Sequence, residues 1–255
     1  MSIQLDGAPV ATTMRTPGHD FELAVGFLHG EGLLAGAPVR GVRYCATGSA
    51  TDTAFNVVTV ETGGAAPVPA ARLGTTTSSC GWCGTEAIDG LMERLTRVPR
   101  TPPIPFDVLA DVPERVRPLQ ALFEATGAVH AAALFDRRGE VLLVREDVGR
   151  HNAVDKVVGR LLLDGRLPAN GLGLYVSGRA SFELVQKAWA AGCSTLLAVS
   201  APTALAVHAA RRGGLLLAGF VRGRRLNVYA PERADVAGVP EPGRTADAVD
   251  ASDAP

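Results

Sequence analysis

Between residues 172 and 230 the sequence alternates short apolar runs with amphipathic stretches: LGLYVS, SFELVQKAWAAG, TLLAVS, PTALAVHAARRG, LLLAGFVRG and LNVYA. Read in order, these are strand, helix, strand, helix and two strands. Parallel strands need a crossover, and the intervening helices supply it. The region therefore predicts an α/β sheet with parallel pairs and right-handed crossovers. Upstream, HAAALF (130–135) and EVLLVRE (140–146) flank the turn DRRG, a hairpin signal, and NAVDKVVGRLLLDG reads as a helix.

The rest of the 255-residue chain is less regular. In HDFELAVGFLHGEGLL (19–34) apolar side chains recur at helical spacing, and AFNVVTV (54–60) is β-branched and strand-like. TEAIDGLMERLTR (85–97) reads as a helix, with Ile88, Leu91 and Leu95 on one face. Residues 1–97 are taken as a small N-terminal α+β portion. Residues 98–118 open with Pro99, Pro102, Pro103 and Pro105 and are expected to be an irregular linker. Residues 119–230 form the α/β domain. Residues 231–255 carry six acids, two arginines and four prolines, and a disordered acidic tail is expected.

The formal charge of −1 excludes a broadly basic nucleic-acid binder. Basic residues number 25, yet only Lys156 and Lys187 are lysines; the remainder are arginines, whose planar forks suit phosphate. No apolar run approaches the roughly 18 residues of a membrane span, and MSIQLDGAPVATT lacks the pattern of a secretory signal. A soluble, cytoplasmic chain is expected. In that compartment the close pair among Cys45, Cys80, Cys83 and Cys193 points to metal or redox chemistry rather than a disulfide framework.

The pair lies in Ser78-Ser79-Cys80-Gly81-Trp82-Cys83-Gly84, directly before a predicted helix. The positive end of the helix favours thiolate over thiol, so a reactive cysteine is the favoured reading. Half of a structural zinc site is the alternative, although no second CxxC or paired histidines supply further ligands. His29-Gly30-Glu31 upstream also imitates the H-x-E then C-x-x-C layout of zinc deaminases, with Ser79 where those enzymes have proline. His29, set within an apolar stripe, has an interior or capping role as its competing reading.

A second cluster, Arg145-Glu146-Asp147-Val148-Gly149-Arg150-His151-Asn152-Ala153-Val154-Asp155-Lys156, falls at a strand-to-helix junction. Arg145 or Arg150 can fork onto phosphate beside the helix N-terminus. His151 and Asp155, spaced i, i+4, have mutual pairing as their bland reading. Ser177-Gly178-Arg179-Ala180-Ser181 and Ser200-Ala201-Pro202-Thr203 each follow a strand and open a helix, where α/β proteins place ligands. The three junctions are expected along one sheet edge, cradling a polyanion. Phe220-Val221-Arg222-Gly223-Arg224-Arg225 is a phosphate-facing turn or a soluble hairpin tip.

Together TPGHDFELAVGFLHGEGLL, SSCGWCG, TGAVHAAALF, REDVGRHNAVDKVVG, VSGRASFELVQKA, SAPTALAVHAA and GFVRGRRLNVYA resemble the formate dehydrogenase accessory sulfurtransferase family, FdhD, from about residue 14 to 230. The resemblance implies a cytidine-deaminase-like C-terminal domain joined to the smaller α+β portion. It also implies a homodimeric sulfur carrier. A cysteine desulfurase would load persulfide sulfur onto Cys80, with Cys83 as partner. The sulfur would pass to molybdenum in the bis-molybdopterin guanine dinucleotide cofactor, bound as a substrate and destined for formate dehydrogenase. The guanine nucleotide end is expected near Phe220, Val221, Arg222, Gly223, Arg224 and Arg225. Candidate contacts to the rest of the cofactor are Arg145, Arg150, His151, Ser177, Gly178 and Arg179. No tightly held metal, nucleic acid or membrane is expected as a partner. A zinc-dependent deaminase-like enzyme and a non-catalytic cofactor chaperone stand as alternatives. Family members carry a further strand before the segment matching at Met14, so a shortened N-terminal portion is also expected.

Overall fold

A computed structural model describes residues 1–45, 49–68 and 95–231. It holds two sheets. The smaller has the order β2-β1-β4-β3, from β1 (Ser2–Leu5), β2 (Ala8–Thr12), β3 (Gly41–Tyr44) and β4 (Val57–Glu61). Asp6 and Gly7, both at positive φ, make the two-residue turn joining β1 to β2. The segment before Met14, expected from the sequence to lack a strand, instead supplies two, with β1 pairing parallel to β4.

Helix α1 (Asp20–Gly30) covers this sheet. Its Ala24, Val25 and Leu28 pack with Ile3, Leu5, Val58 and Val60. It is shorter than residues 19–34; turns follow from Glu31.

The larger sheet has the order β10-β9-β8-β7-β5-β6. Its strands are β5 (His130–Phe135), β6 (Val141–Asp147), β7 (Gly173–Val176), β8 (Thr195–Ala198), β9 (Leu216–Arg222) and β10 (Arg225–Ala230). The sequence expectation of parallel pairs holds for β7, β8 and β9, while β5, β6 and β10 add antiparallel partners. Helices α4 (Arg150–Leu163), α5 (Phe182–Ala190) and α6 (Ala204–Gly213) make the crossovers. Alternation along the strands then divides the core. Leu134, Leu174, Leu196 and Leu217 face these three helices, whereas Phe135, Tyr175, Leu197 and Ala218 face the opposite layer.

That opposite layer corrects the expectation of an irregular segment over 98–118. Helix α2 (Phe106–Val116) runs through it, with Pro113 inside, and is followed by a short 3-10 turn and α3 (Ala121–Thr126). The proline cluster ends at Pro105, which becomes the N-cap. Leu109, Ala110, Val112 and Val116 then bury one stripe against the sheet, enough to hold a helix that contains a proline.

The two sheets meet through α1 and α4. Gly26 and Gly159 lie at the crossing, where a Cβ on either would run into the backbone of the other helix. Backbone therefore packs against backbone. The helix expected at 85–97 and the acidic tail fall largely outside the described residues, as do Cys80 and Cys83.

Candidate functional site

Because β7, β8 and β9 are parallel, their carboxyl ends lie at one edge of the larger sheet. Antiparallel pairing brings His130 at the start of β5, Asp147 at the end of β6 and Arg225 at the start of β10 to the same edge. The junctions expected to converge do so, and backbone hydrogen bonds stitch them together. Ser200 N donates to Gly178 O at 3.3 Å, and Phe220 N donates to Ser200 O at 3.3 Å. Ala180 N reaches Ala201 O at 3.2 Å and Thr203 N reaches Ala180 O at 3.0 Å.

At one end of this edge a small cationic pocket forms over Gly178. A Cβ there would sit 3.5 Å from the His130 ring and 3.6 Å from Arg150 Cδ. Ser177 Oγ accepts from Ala131 N at 2.9 Å and lies 3.4 Å from His130 Nδ1. Ser181 Oγ lies 3.1 Å from His151 Nε2. Burial and the nearby Arg150 guanidinium lower the pKa of both histidines, that of His151 to about 4, so both are neutral at pH 7. Arg150 Nε is buried and has no hydrogen-bond partner among the described residues. Arg179 is exposed.

The other end is the β9–β10 turn. Phe220, Gly223 and Arg224 all have positive φ, a costly conformation for a phenylalanine. Phe220 is 48% exposed, while Val221 is buried in the sheet core. Phe220, Arg222, Gly223, Arg225, Leu226 and Asn227 line an open depression of about 480 Å³.

Most of the charged run at 145–156 is engaged within the chain. Arg145 grips Glu22 of α1 with Nε at 2.5 Å and Nη2 at 2.8 Å. Glu146 accepts from Leu122 N and Phe123 N, both at 2.8 Å, at the start of α3. Asp147, fully buried, pairs with Lys156 Nζ at 2.7 Å and accepts from Thr16 N and Gly149 N. Lys156 also donates to Thr16 O at 3.0 Å, and Asn152 donates to Met14 O at 2.7 Å. The segment 13–16 is thereby strapped across the start of α4.

Asp155 does not pair with His151. It meets Lys187 Nζ at 2.7 Å, with Glu31 at 3.6 Å from the same ammonium. Both lysines of the chain are thus buried in ion pairs at the contact between the two sheets' helices. Sequence reasoning missed these partners and passed over His130; its place in TGAVHAAALF, one strand from Ser177, was the available signal.

The deaminase layout finds no support in its upstream half. His29 Nε2 is 3.0 Å from Ala190 O, and its pKa is lowered by burial. Glu31 is drawn to Lys187. Among the described residues no cluster of three or more His, Cys, Asp or Glu is placed to hold a metal. Cys45 and Cys193 are both buried, and burial pushes the Cys193 thiol up to about 12. Among the described residues no helix is long and apolar enough to cross a membrane.

Comparison with known proteins agrees along nearly the whole chain. A protein named "Sulfur carrier protein FdhD" from Streptomyces avermitilis is 49% identical over 241 residues, covering 91% of this chain and 85% of that protein. One of the same name from Streptomyces coelicolor is 50% identical, with 90% and 84% covered. The fold resembles, with a TM-score of 0.70 and 26% identity, a crystal structure from Desulfotalea psychrophila described as a formate dehydrogenase accessory protein; 92% of this chain and 87% of that one are covered. The profile of the FdhD/NarQ family spans residues 1–235. With its junction motifs gathered on one sheet edge and this match over its length, the chain belongs to the FdhD/NarQ family.

Proposed function

We propose that this chain is a cytoplasmic sulfurtransferase that serves formate dehydrogenase. It takes persulfide sulfur from a cysteine desulfurase and delivers it to the molybdenum of bis-molybdopterin guanine dinucleotide before that cofactor enters the enzyme. The observation that carries the reading is near-50% identity, over about nine-tenths of the chain, to proteins named as sulfur carriers. Loading requires the Cys80 thiolate to attack the terminal sulfur of the donor's persulfide. The new S–S bond forms at Cys80 as the donor's own cysteine leaves as thiolate. Cys83, three positions on in the same CxxC motif, is read as its partner in that chemistry.

The cofactor is read as a substrate held along the larger sheet's edge, with its guanine end at Phe220–Arg225. Phe220 offers an exposed ring, and Arg222, Arg224 and Arg225 bring positive charge to the turn, Arg224 Nε also lying 3.7 Å from Asp111. Arg150, His151, Ser177, Gly178 and Arg179 stand along the same edge as further contacts. Arg145, clamped by Glu22, contributes to holding the junction in place. The strand order, with helices α4–α6 on one face, supports a cytidine-deaminase-like C-terminal domain. A homodimer is the expected assembly.

The test is intact-mass spectrometry after incubation with a cysteine desulfurase and cysteine. Wild type gains one sulfur atom and Cys80→Ala gains none. No gain on wild type overturns the carrier reading. Full formate dehydrogenase maturation by Cys80→Ala would point instead to a cofactor chaperone that needs no persulfide.

A further inference from the structure

We propose that the acidic segment 232–255 docks in a pocket walled by Arg97, Arg100 and Arg211, on the edge of the larger sheet opposite its strand-to-helix junctions.

Strands β8 and β9 begin at this edge, and β10, antiparallel to β9, ends there. Thr195, Leu216 and Pro231 therefore come together, and with residues 97–104 they line a pocket of about 310 Å³. The stretch 97–104 is a fixed wall. Val98 N donates to Gly213 O at 2.9 Å and Trp189 Nε1 donates to Thr96 O at 2.7 Å. Val98 and Ile104 are buried, and Pro99, Pro102 and Pro103 each fix a backbone angle between those two anchors.

The charge of the pocket is of one sign. Arg97, Arg100 and Arg211 line it and no Asp or Glu does. None of the three forms an ion pair among the described residues. The competing role for these guanidiniums is to complete the end of α6, since cations suit a helix C-terminus. That end is already closed by backbone: Gly214 N donates to Arg211 O at 3.4 Å, Leu215 N to Ala210 O at 2.9 Å and Val98 N to Gly213 O. Three like charges held around one space repel each other, and carboxylates relieve that by fitting the planar fork of each guanidinium.

The segment that follows Pro231 has the matching chemistry. Residues 232–255 carry six acids against two arginines, with Glu232 and Asp235 in the first four positions. Four extended residues span about 13 Å, enough to carry both carboxylates across a pocket that Pro231 itself lines. Attachment at the rim gives an effective concentration in the millimolar range, so a contact too weak to hold a free peptide holds this one. That favours this segment over an acidic region of another protein, which must bind from dilute solution. Once docked, the segment neutralises the guanidiniums and keeps the pocket closed to acidic surfaces of other proteins.

A fluorescent synthetic peptide of residues 232–253, titrated with the full chain and followed by anisotropy, tests this. A full-length variant carrying Glu232→Gln, Asp235→Asn, Glu241→Gln, Asp247→Asn, Asp250→Asn and Asp253→Asn vacates the pocket. It is expected to bind the peptide about tenfold tighter than wild type, whose own segment competes. Adding Arg100→Gln and Arg211→Gln should reverse that gain, as should raising salt to about 0.5 M. Amide exchange over 97–104 in the wild type should quicken at the higher salt, a readout that needs no variant to fold. Failure of the vacated variant to bind the peptide, or binding indifferent to the two arginine changes, overturns the proposal. Wild type that takes up the peptide as tightly as the vacated variant also overturns it, and leaves the pocket open to an acidic partner instead.

Discussion

Replacing Gly26 by alanine should unfold the contact on which the whole arrangement depends. A Cβ there comes within 2.7 Å of the Asp155 carbonyl carbon and 2.8 Å of Gly159 N, and overlaps the Asp155 oxygen outright; contacts under 3.0 Å are essentially never made by real Cβ atoms. The obstacles are backbone atoms of α4, so no side chain can rotate away. The helices must part by on the order of 1 Å, which forfeits a quarter to a half of the dispersion attraction along the crossing. Overpacking of this kind costs about 3 kcal/mol where backbone has to move. Alanine returns about 1 kcal/mol of helix propensity. The net loss of about 2 kcal/mol lowers Tm by roughly 4–8 °C in a chain of this size. Thermal unfolding followed by circular dichroism reads it directly. Gly159→Ala should act alike, and the double variant should lose less than the two combined, because one separation relieves both clashes. A Gly26→Ala protein as stable as wild type, or more stable, would refute the close crossing.

Lys156→Met should destabilise by about 3–5 kcal/mol, measured by urea unfolding, because it strands the buried carboxylate of Asp147 without a counter-charge. Acidification should destabilise the fold through His151. Its pKa lies near 4 when folded and 6.5 when free, so the unfolded chain takes up the proton first as pH falls through that window. His151→Gln should therefore remove up to about 1.4 kcal/mol per pH unit of acid sensitivity, read from urea midpoints at several pH values. Asp155, raised by burial to about 6, acts in the opposite direction, and the comparison with the variant cancels it. Phe220→Gly should leave Tm unchanged or higher by relieving a positive φ, while weakening guanosine diphosphate binding in a calorimetric titration.

Local periodicity carries the elements that a short window can define. The alternation from LGLYVS to LNVYA dictates parallel strands and crossovers, and parallel strands alone bring residues 177–181, 200–203 and 220–225 to one edge. The Asp6-Gly7 turn went unread, because the strands flanking it are too short to stand out. Helix α2 went unread as well, because prolines disfavour a helix locally and only burial of Leu109, Val112 and Val116 against the sheet outweighs them.

What sequence left undecided was which charge meets which. REDVGRHNAVDK reads as a ligand site because its residues bear the right groups. Yet Arg145 closes on Glu22, 123 positions away, and Asp155 on Lys187, 32 positions away. A lysine ammonium looks the same in sequence whether it is solvated or buried. Its burial follows from how closely α1 can dock on α4, and that depends on two glycines far apart in the chain. Sequence by itself thus determined the elements, the sheet edge and the kinds of chemistry gathered there. Tertiary structure decided which of those groups hold the two sheets together and which, like Arg150 Nε, are buried with no hydrogen-bond partner among the described residues. The physical reason is that hydrogen-bond period and turn chemistry act over a few residues, whereas desolvated charge is satisfied only by partners that packing brings within reach.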